Sequence, residues 1–265
     1  MLSLFGRFCH LGARFVLVGD FEGQFTPVVD GWPSRQPIME TSLLKRLAGG
    51  LHLRMTTNRW ANGDDEHFRF YTGLYPFADA STYRHTLQAT KAYPWAGEEP
   101  SVVLVLSHRK RLRINAHYNR LRDGDGVLIP SVGELERVAS QPQDMFLKPG
   151  MRLLGSGNSK KVLNGTEYIV KSIDEKRVVV EMAPEFGDGE VSLNYEDASR
   201  YLRLRYAICY FTVQGRTLRD HILLLDKACR HFTVRHLIVG LSRVTAGKFA
   251  HVPTRRQDIE FLKAM

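Results

Sequence analysis

Two short polar turns flank apolar runs near the end of the chain: Gln214-Gly215-Arg216-Thr217 and Gly240-Leu241-Ser242-Arg243. A glycine beside an apolar run lets backbone come close to a ligand. Arg243, which closes the second turn, carries a planar fork of donors that fits phosphate oxygens. A third polar group follows an apolar run near the start, Gly19-Asp20 and then Gln24. A neutral amide there can both accept and donate hydrogen bonds. Arg59 offers another cation, with a cation–π contact to Trp60 as its simplest alternative role. Basic residues cluster at His108–Arg113, Arg200–Arg205 and Arg255-Arg256, and 37 basic against 28 acidic residues give a net charge of +9. That balance favours a polyanion such as nucleic acid as partner. The chemistry these residues could share is the handling of phosphate.

Such groups need elements to hold them. Ala13–Gly19 reads as a buried strand whose carboxyl end delivers Asp20 and Gln24, the edge at which open α/β sheets bind ligands. Val102–Leu106, Ile222–Leu225 and Leu237–Val239 read as further strands, so the expected fold is a parallel α/β sheet with helices between strands. His108–Arg113 reads as a basic loop after its strand, leading into a helix that carries Asn115. Pro33–Pro37 is a turn-rich break, and Thr41–Leu53 has helical spacing at Leu43, Leu44, Leu47 and Leu51 with Gly49-Gly50 as its stop. Residues 76–100 read as loop or short helix. From about 147 to 197 the texture changes to short alternating strands with Gly/Asn turns, Asn164-Gly165 being a strong hairpin signal.

The chain has 265 residues, 43% hydrophobic and 25% charged, the profile of a soluble globular protein. No apolar run approaches the roughly 20 residues of a membrane span, and no membrane partner is expected. The first residues lack a small-residue cleavage site, which argues against a signal peptide. The three cysteines (Cys9, Cys209, Cys229) are odd in number without C-x-x-C spacing, as for reduced intracellular thiols. Absence of G-x-S-x-G, and of H-x-x-x-H with an acidic partner, leaves an unrelated hydrolase or a metal site without support.

Q-G-R-T-L followed by G-L-S-R-V-T resembles motifs V and VI of superfamily 1 helicases, in the RecD-like, Pif-one-like branch. The segment F-V-L-V-G-D-F-E-G-Q-F-T-P-V, with Gly19, Asp20, Gln24 and Pro27 in order, resembles motif III. Ser107, His108 and Arg109 fall where motif IV ends its strand, and L-N-G-T-E-Y-I-V resembles the hallmark of the small β-barrel insert. This likeness implies a remnant of a first RecA-like domain at 1–60, a second RecA-like domain at 61–146 and 199–265, and the insert at 147–198. It implies catalytic roles for Gln24, Arg59 and Arg243, and places Asp20, Gln24, Arg59, Gly215 and Arg243 around a nucleotide. Ser107, His108, Arg109, Asn115, Gln214 and Thr217 are the implied contacts to single-stranded DNA.

The likeness covers only motifs III to VI. No G-K-[ST] occurs, since Gly247-Lys248 is followed by Phe249, and no Asp-Glu pair ends a strand. In motif V the usual Thr, His and Lys-Ser give way to Cys209, Phe211, Thr212 and Val213. The resemblance therefore implies ATP and Mg²⁺ in a complete parent, with a first motor domain supplied by further sequence. For the isolated chain no cofactor and no ATP hydrolysis are expected. The alternative is a non-enzymatic nucleic-acid-binding remnant of a helicase.

Overall fold

The computed structural model describes residues 7–8, 11–12, 15–20, 23–25, 42–55, 57, 59, 63–78, 83–121, 126–133, 141–157, 159 and 161–265. In chain order the elements are helices α1 (Ser42–Leu47), α2 (Asp65–Thr72) and α3 (Tyr83–Ala92), strand β1 (Val102–Val105) and helix α4 (His108–Arg120). Strands β2 (Val127–Ile129), β3 (Met145–Leu147), β4 (Arg152–Gly155), β5 (Glu167–Ile173), β6 (Arg177–Met182) and β7 (Glu190–Asn194) come next. Then follow α5 (Tyr195–Tyr201), β8 (Leu202–Leu204), β9 (Ala207–Cys209), α6 (Tyr210–Val213), β10 (Ile222–Leu224), α7 (Val234–Leu241), β11 (Ala250–His251) and α8 (Arg255–Ala264).

Four parallel strands form one sheet in the order β11-β10-β1-β9. Alternate side chains of a strand point to opposite faces. Val102, Leu104, Ile208, Ile222 and Leu224 pack against Leu237, Ile238 and Leu241 of α7 and Tyr71 of α2. Val103, Val105, Ala207 and Leu223 meet Ile114 and Tyr118 of α4 and Phe261 of α8. With both faces covered, nearly every position of these strands must be apolar, which is why Val102–Val105 and Ile222–Leu224 read as unbroken apolar runs.

A second, antiparallel sheet has the order β7-β6-β5-β4-β8 and its own core of Leu153, Tyr168, Val178, Val180, Leu193 and Leu202. The turn Asn164-Gly165, with Gly165 at φ +90°, leads into β5. Two amides on the inner side of α4 hold this region to the parallel sheet. Asn115 is fully buried; its Oδ1 accepts from Ala207 N at 2.8 Å and its Nδ2 donates to the Leu204 and Ala207 carbonyls, each at 3.3 Å. Asn119 pairs with both backbone groups of Phe146, accepting at 2.9 Å and donating at 3.1 Å.

Two expected strands are not strands. Leu237–Val239 lies in helix α7, because Thr233 and His236 form a capping box at its start and the following run is buried all round. A short apolar run does not separate a strand from a fully buried helix. Phe15–Val18 forms no strand either, and Val16 and Val18 are exposed, because among the described residues no strand pairs with it. Ala13, Pro33–Pro37 and Thr41 lie outside the described residues. The expected helix to Leu53 ends at Leu47, with Gly49 and Gly50 at φ +61° and +75°. Within 76–100 the chain forms α3.

Replacing Asn115 with Ala leaves the Ala207 amide without its partner in a dry site. A loss of about 2 to 4 kcal/mol in unfolding free energy is expected from urea denaturation.

Candidate nucleic-acid interface

β1 and β9 are parallel neighbours, paired at Val103–Ala207 and Val105–Cys209, so the segments that follow them leave the sheet at one edge. After β1, Ser107 accepts from Lys110 N at 3.3 Å and caps α4. His108–Arg113 is therefore the first turns of a helix, not a loop. The cap, and the absence of any glycine or proline from Ser107 to Arg113, let the helix begin here. Helical geometry sorts the run: Arg109 and Arg113 face solvent, while Arg111 is buried on the inner side, where burial lowers its pKa.

After β9 come α6 and the turn Gln214-Gly215, where Gly215 adopts φ +80°, a backbone conformation suited to glycine. The start of α4 touches the end of β9, where His108 Nδ1 lies 3.4 Å from Cys209 Sγ. Burial pushes the Cys209 thiol up to about 11, so it stays protonated and is no nucleophile.

Asp226, at the carboxyl end of β10, fixes this edge from behind. It is buried with φ +71°; its Oδ2 accepts from Leu106 N at 2.7 Å and its Oδ1 pairs with the Lys110 ammonium. Asp258 of α8 accepts from the Asp226 and Lys227 amides at 3.2 and 3.1 Å. The Lys227 ammonium donates to Thr90 Oγ1 at 3.0 Å, and burial lowers its pKa to about 8.

The residues around Gln24 dock on the same region. Gln214 Nε2 donates to Gln24 Oε1 at 2.8 Å, and Arg235 Nη1 donates to the Gln24 carbonyl at 2.6 Å. Phe25 stacks on Phe211 with centroids 4.2 Å apart and meets His236 edge-on at 4.7 Å. Asp20 Oδ1 accepts from Gly23 N at 2.7 Å. Arg243 stands near Asp20, Tyr71 and Tyr75; burial lowers its pKa, and the charge of Asp20 opposes that shift. Its fork nonetheless bonds its own surroundings: Nε to Val239 O at 3.2 Å, Nη1 to Arg216 O at 3.4 Å and Nη2 to Ser242 Oγ at 2.8 Å.

The structure thus brings Asp20, Gln24, Gln214, Gly215 and Arg243 together, and separately Ser107, His108 and Arg109. Thr217 is half-buried just before Leu218, whose amide donates to Arg243 O at 2.7 Å. Arg59 is exposed and makes no contact with either group among the described residues; Trp60, Asn58 and Pro27 lie outside those residues. Asn115 is not available to DNA, since burial and three backbone bonds use its amide completely. Gly240 serves packing rather than a ligand, for a Cβ there would sit 2.6 Å from Leu224 Cδ2. The sequence reading missed Asp226, Phe25, Arg235 and His236. Only Asp226 carried a usable signal, an acid ending the apolar run Ile222–Leu225.

In fold the chain is similar to the crystal structure of Pif1 helicase from Candida albicans, at 17% identity and a TM-score of 0.54 over 85% of this chain and 63% of that one. It is also similar to Pif1 helicase from Bacteroides in complex with ADP-AlF3 and ssDNA, at 17% identity and a TM-score of 0.50 over 81% and 57%. The chain spans less than two thirds of either protein. No family model and no curated protein matches it. Among the described residues no helix is long and apolar enough to cross a membrane.

His236 gives this region a pH signature. Burial holds its pKa down to about 4, below the roughly 6.5 of an unfolded histidine. A depressed histidine supports the fold fully above the unfolded value and progressively less as pH falls toward the folded one. Stability should drop by about 1.5 kcal/mol between pH 6.5 and 5 from this group, and buried His67, also depressed, adds in the same direction. His236→Gln, which can keep the capping box, should remove the His236 share when urea unfolding is followed across that range.

Proposed function

We propose that the chain is the carboxyl-terminal part of a DNA helicase and holds a single DNA strand along the carboxyl edge of its parallel sheet. One observation carries this reading: the parallel pairing of β1 and β9 sends the capped start of α4 and the turn Gln214-Gly215 from the same edge of the sheet, with His108 of α4 touching Cys209 at the end of β9. The start of a helix presents free amides and a partial positive charge to a phosphate. Ser107 and Arg109 are exposed there, with His108 half-buried between them. Contacts of this kind fix register without reading bases. The fold likeness to Pif1 helicases, one of them crystallised with ssDNA, supports the reading.

Asp20, Gln24, Arg59, Gly215 and Arg243 are assigned to the nucleotide side of a complete parent, in which ATP and Mg²⁺ are substrate and cofactor. The division into 1–60, 61–146 with 199–265, and 147–198 belongs to the same proposal. In this chain the donors fit a nucleotide only after rearrangement. Arg243 must leave Val239 and Ser242 to reach a phosphate, and Gln24 must release Gln214 before its amide can position a water. Those occupied groups favour a second reading, a remnant that binds nucleic acid without enzymatic activity. Both readings predict no ATP turnover from the isolated chain, because arginine fingers act on a nucleotide cradled elsewhere. DNA-stimulated turnover by the purified chain, lost in Arg243→Ala, would contradict both.

DNA binding itself is tested by titrating a labelled single strand at several salt concentrations. The log–log slope should be about −0.7 per phosphate contacted. Arg109→Ala should remove about one contact from it, and Arg255→Ala with Arg256→Ala should matter less. Arg111, buried, should act on stability and leave the slope unchanged. Salt-independent binding would mean that the basic helix start is a solvated surface.

A further inference from the structure

Phe211 lies on α6 between buried Tyr210 and the polar Thr212, yet half of its surface (50%) is exposed. Its exposure does not come from looseness. One face of the ring lies on Phe25 at 4.2 Å with planes 20° apart, and Phe25 is itself held edge-on by His236. His236 in turn stacks on Phe232 at 5.1 Å and meets Tyr210 edge-on at 5.4 Å, so the whole group is anchored in the core. The groups next to Phe211 are polar: Thr212, Gln214 and Gln24, the last two bonded to each other at 2.8 Å. Cys209, two residues earlier, touches His108. A supported, half-exposed aromatic ring thus stands on the segment that follows β9, two residues past the Cys209–His108 contact.

We infer that the open face of Phe211 stacks on one nucleobase of the single strand. This rests on the reading that the edge holds DNA, and it adds what phosphate contacts cannot supply, an interaction with a base. Every base has a π-face, so such a platform is tolerant of sequence. A ring already stacked from behind loses little side-chain freedom when a base covers it. The geometry therefore joins one base contact to a row of phosphate contacts, with Phe25 as the support beneath the platform.

The test compares a labelled oligo-dT with an abasic strand of the same length, using the full chain at fixed low salt. The unaltered protein should bind oligo-dT more tightly than the abasic strand. Phe211→Ala should weaken oligo-dT binding about five- to hundredfold, leave abasic binding as it was, and leave the salt slope of oligo-dT binding unchanged. Phe211→Leu guards against a folding artefact: it keeps an apolar cover over Phe25 without a π-face and should behave as the Ala variant does. Phe211→Trp should retain affinity, with indole fluorescence quenched by oligo-dT and not by the abasic strand. Equal affinity of the unaltered protein for both strands, or undiminished oligo-dT binding by Phe211→Leu, overturns the inference while leaving phosphate binding intact. Failure of the unaltered protein to bind either strand overturns the underlying reading and the platform with it.

Discussion

The buried carboxylate of Asp226 is the point on which the carboxyl edge of the sheet depends. It receives the Leu106 amide immediately before the helix cap and pairs with Lys110 in the first turn of α4. Its own amide is held by Asp258 of α8. The end of β1, the start of α4, the end of β10 and α8 therefore share one node. A buried charge that loses its partner costs about 3 to 5 kcal/mol, so the node holds together as a unit. The left-handed backbone at Asp226 is tolerated because aspartate accepts that conformation more readily than most residues. The direction in which Ser107, His108 and Arg109 leave the sheet follows from this arrangement.

A second set of contacts ties the remaining pieces to that edge. The Gln24–Gln214 amide pair and the Phe25–Phe211 stack bring an early segment onto the turn after β9. Arg216, one residue past that turn, donates to Thr212 O at 2.7 Å and to Gly165 O at 2.5 Å. The turn thus meets the antiparallel sheet region through the Asn164-Gly165 corner. Arg205 adds an ion pair with buried Glu167 at 2.8 Å and reaches Asp220 at 3.4 Å. A movement of the antiparallel region would have to break these charged contacts, each worth more when shielded from water than on an open surface.

How much of this was legible in the sequence varies by element. Val102–Val105 and Ile222–Leu224 announced themselves because strands covered on both faces are apolar throughout, and the alternating strands of 147–197 because one face of an antiparallel sheet can meet water. Leu237–Val239 was misread because a helix buried on all sides has the same composition as such a strand. Phe15–Val18 has strand-like residues, yet a strand exists only with a neighbour to pair with, a condition no local pattern encodes. The basic cluster was visible, but only the helix shows that Arg109 faces out and Arg111 faces in. Asn115 was expected at DNA, whereas its buried amide is used by three backbone bonds; in sequence a helical asparagine looks the same in either setting. The stack of Phe25 on Phe211 joins residues far apart in the chain and left no local trace.

The central claim is that a single strand lies along the carboxyl edge of the parallel sheet. Amide hydrogen exchange with and without saturating oligo-dT at low salt tests it most directly. Slower exchange is predicted at Ser107–Arg111 and at Phe211–Thr217, with β6 and β7 of the antiparallel sheet unchanged. Protection confined to β6 and β7, or tight binding with no change at either edge segment, would contradict the account.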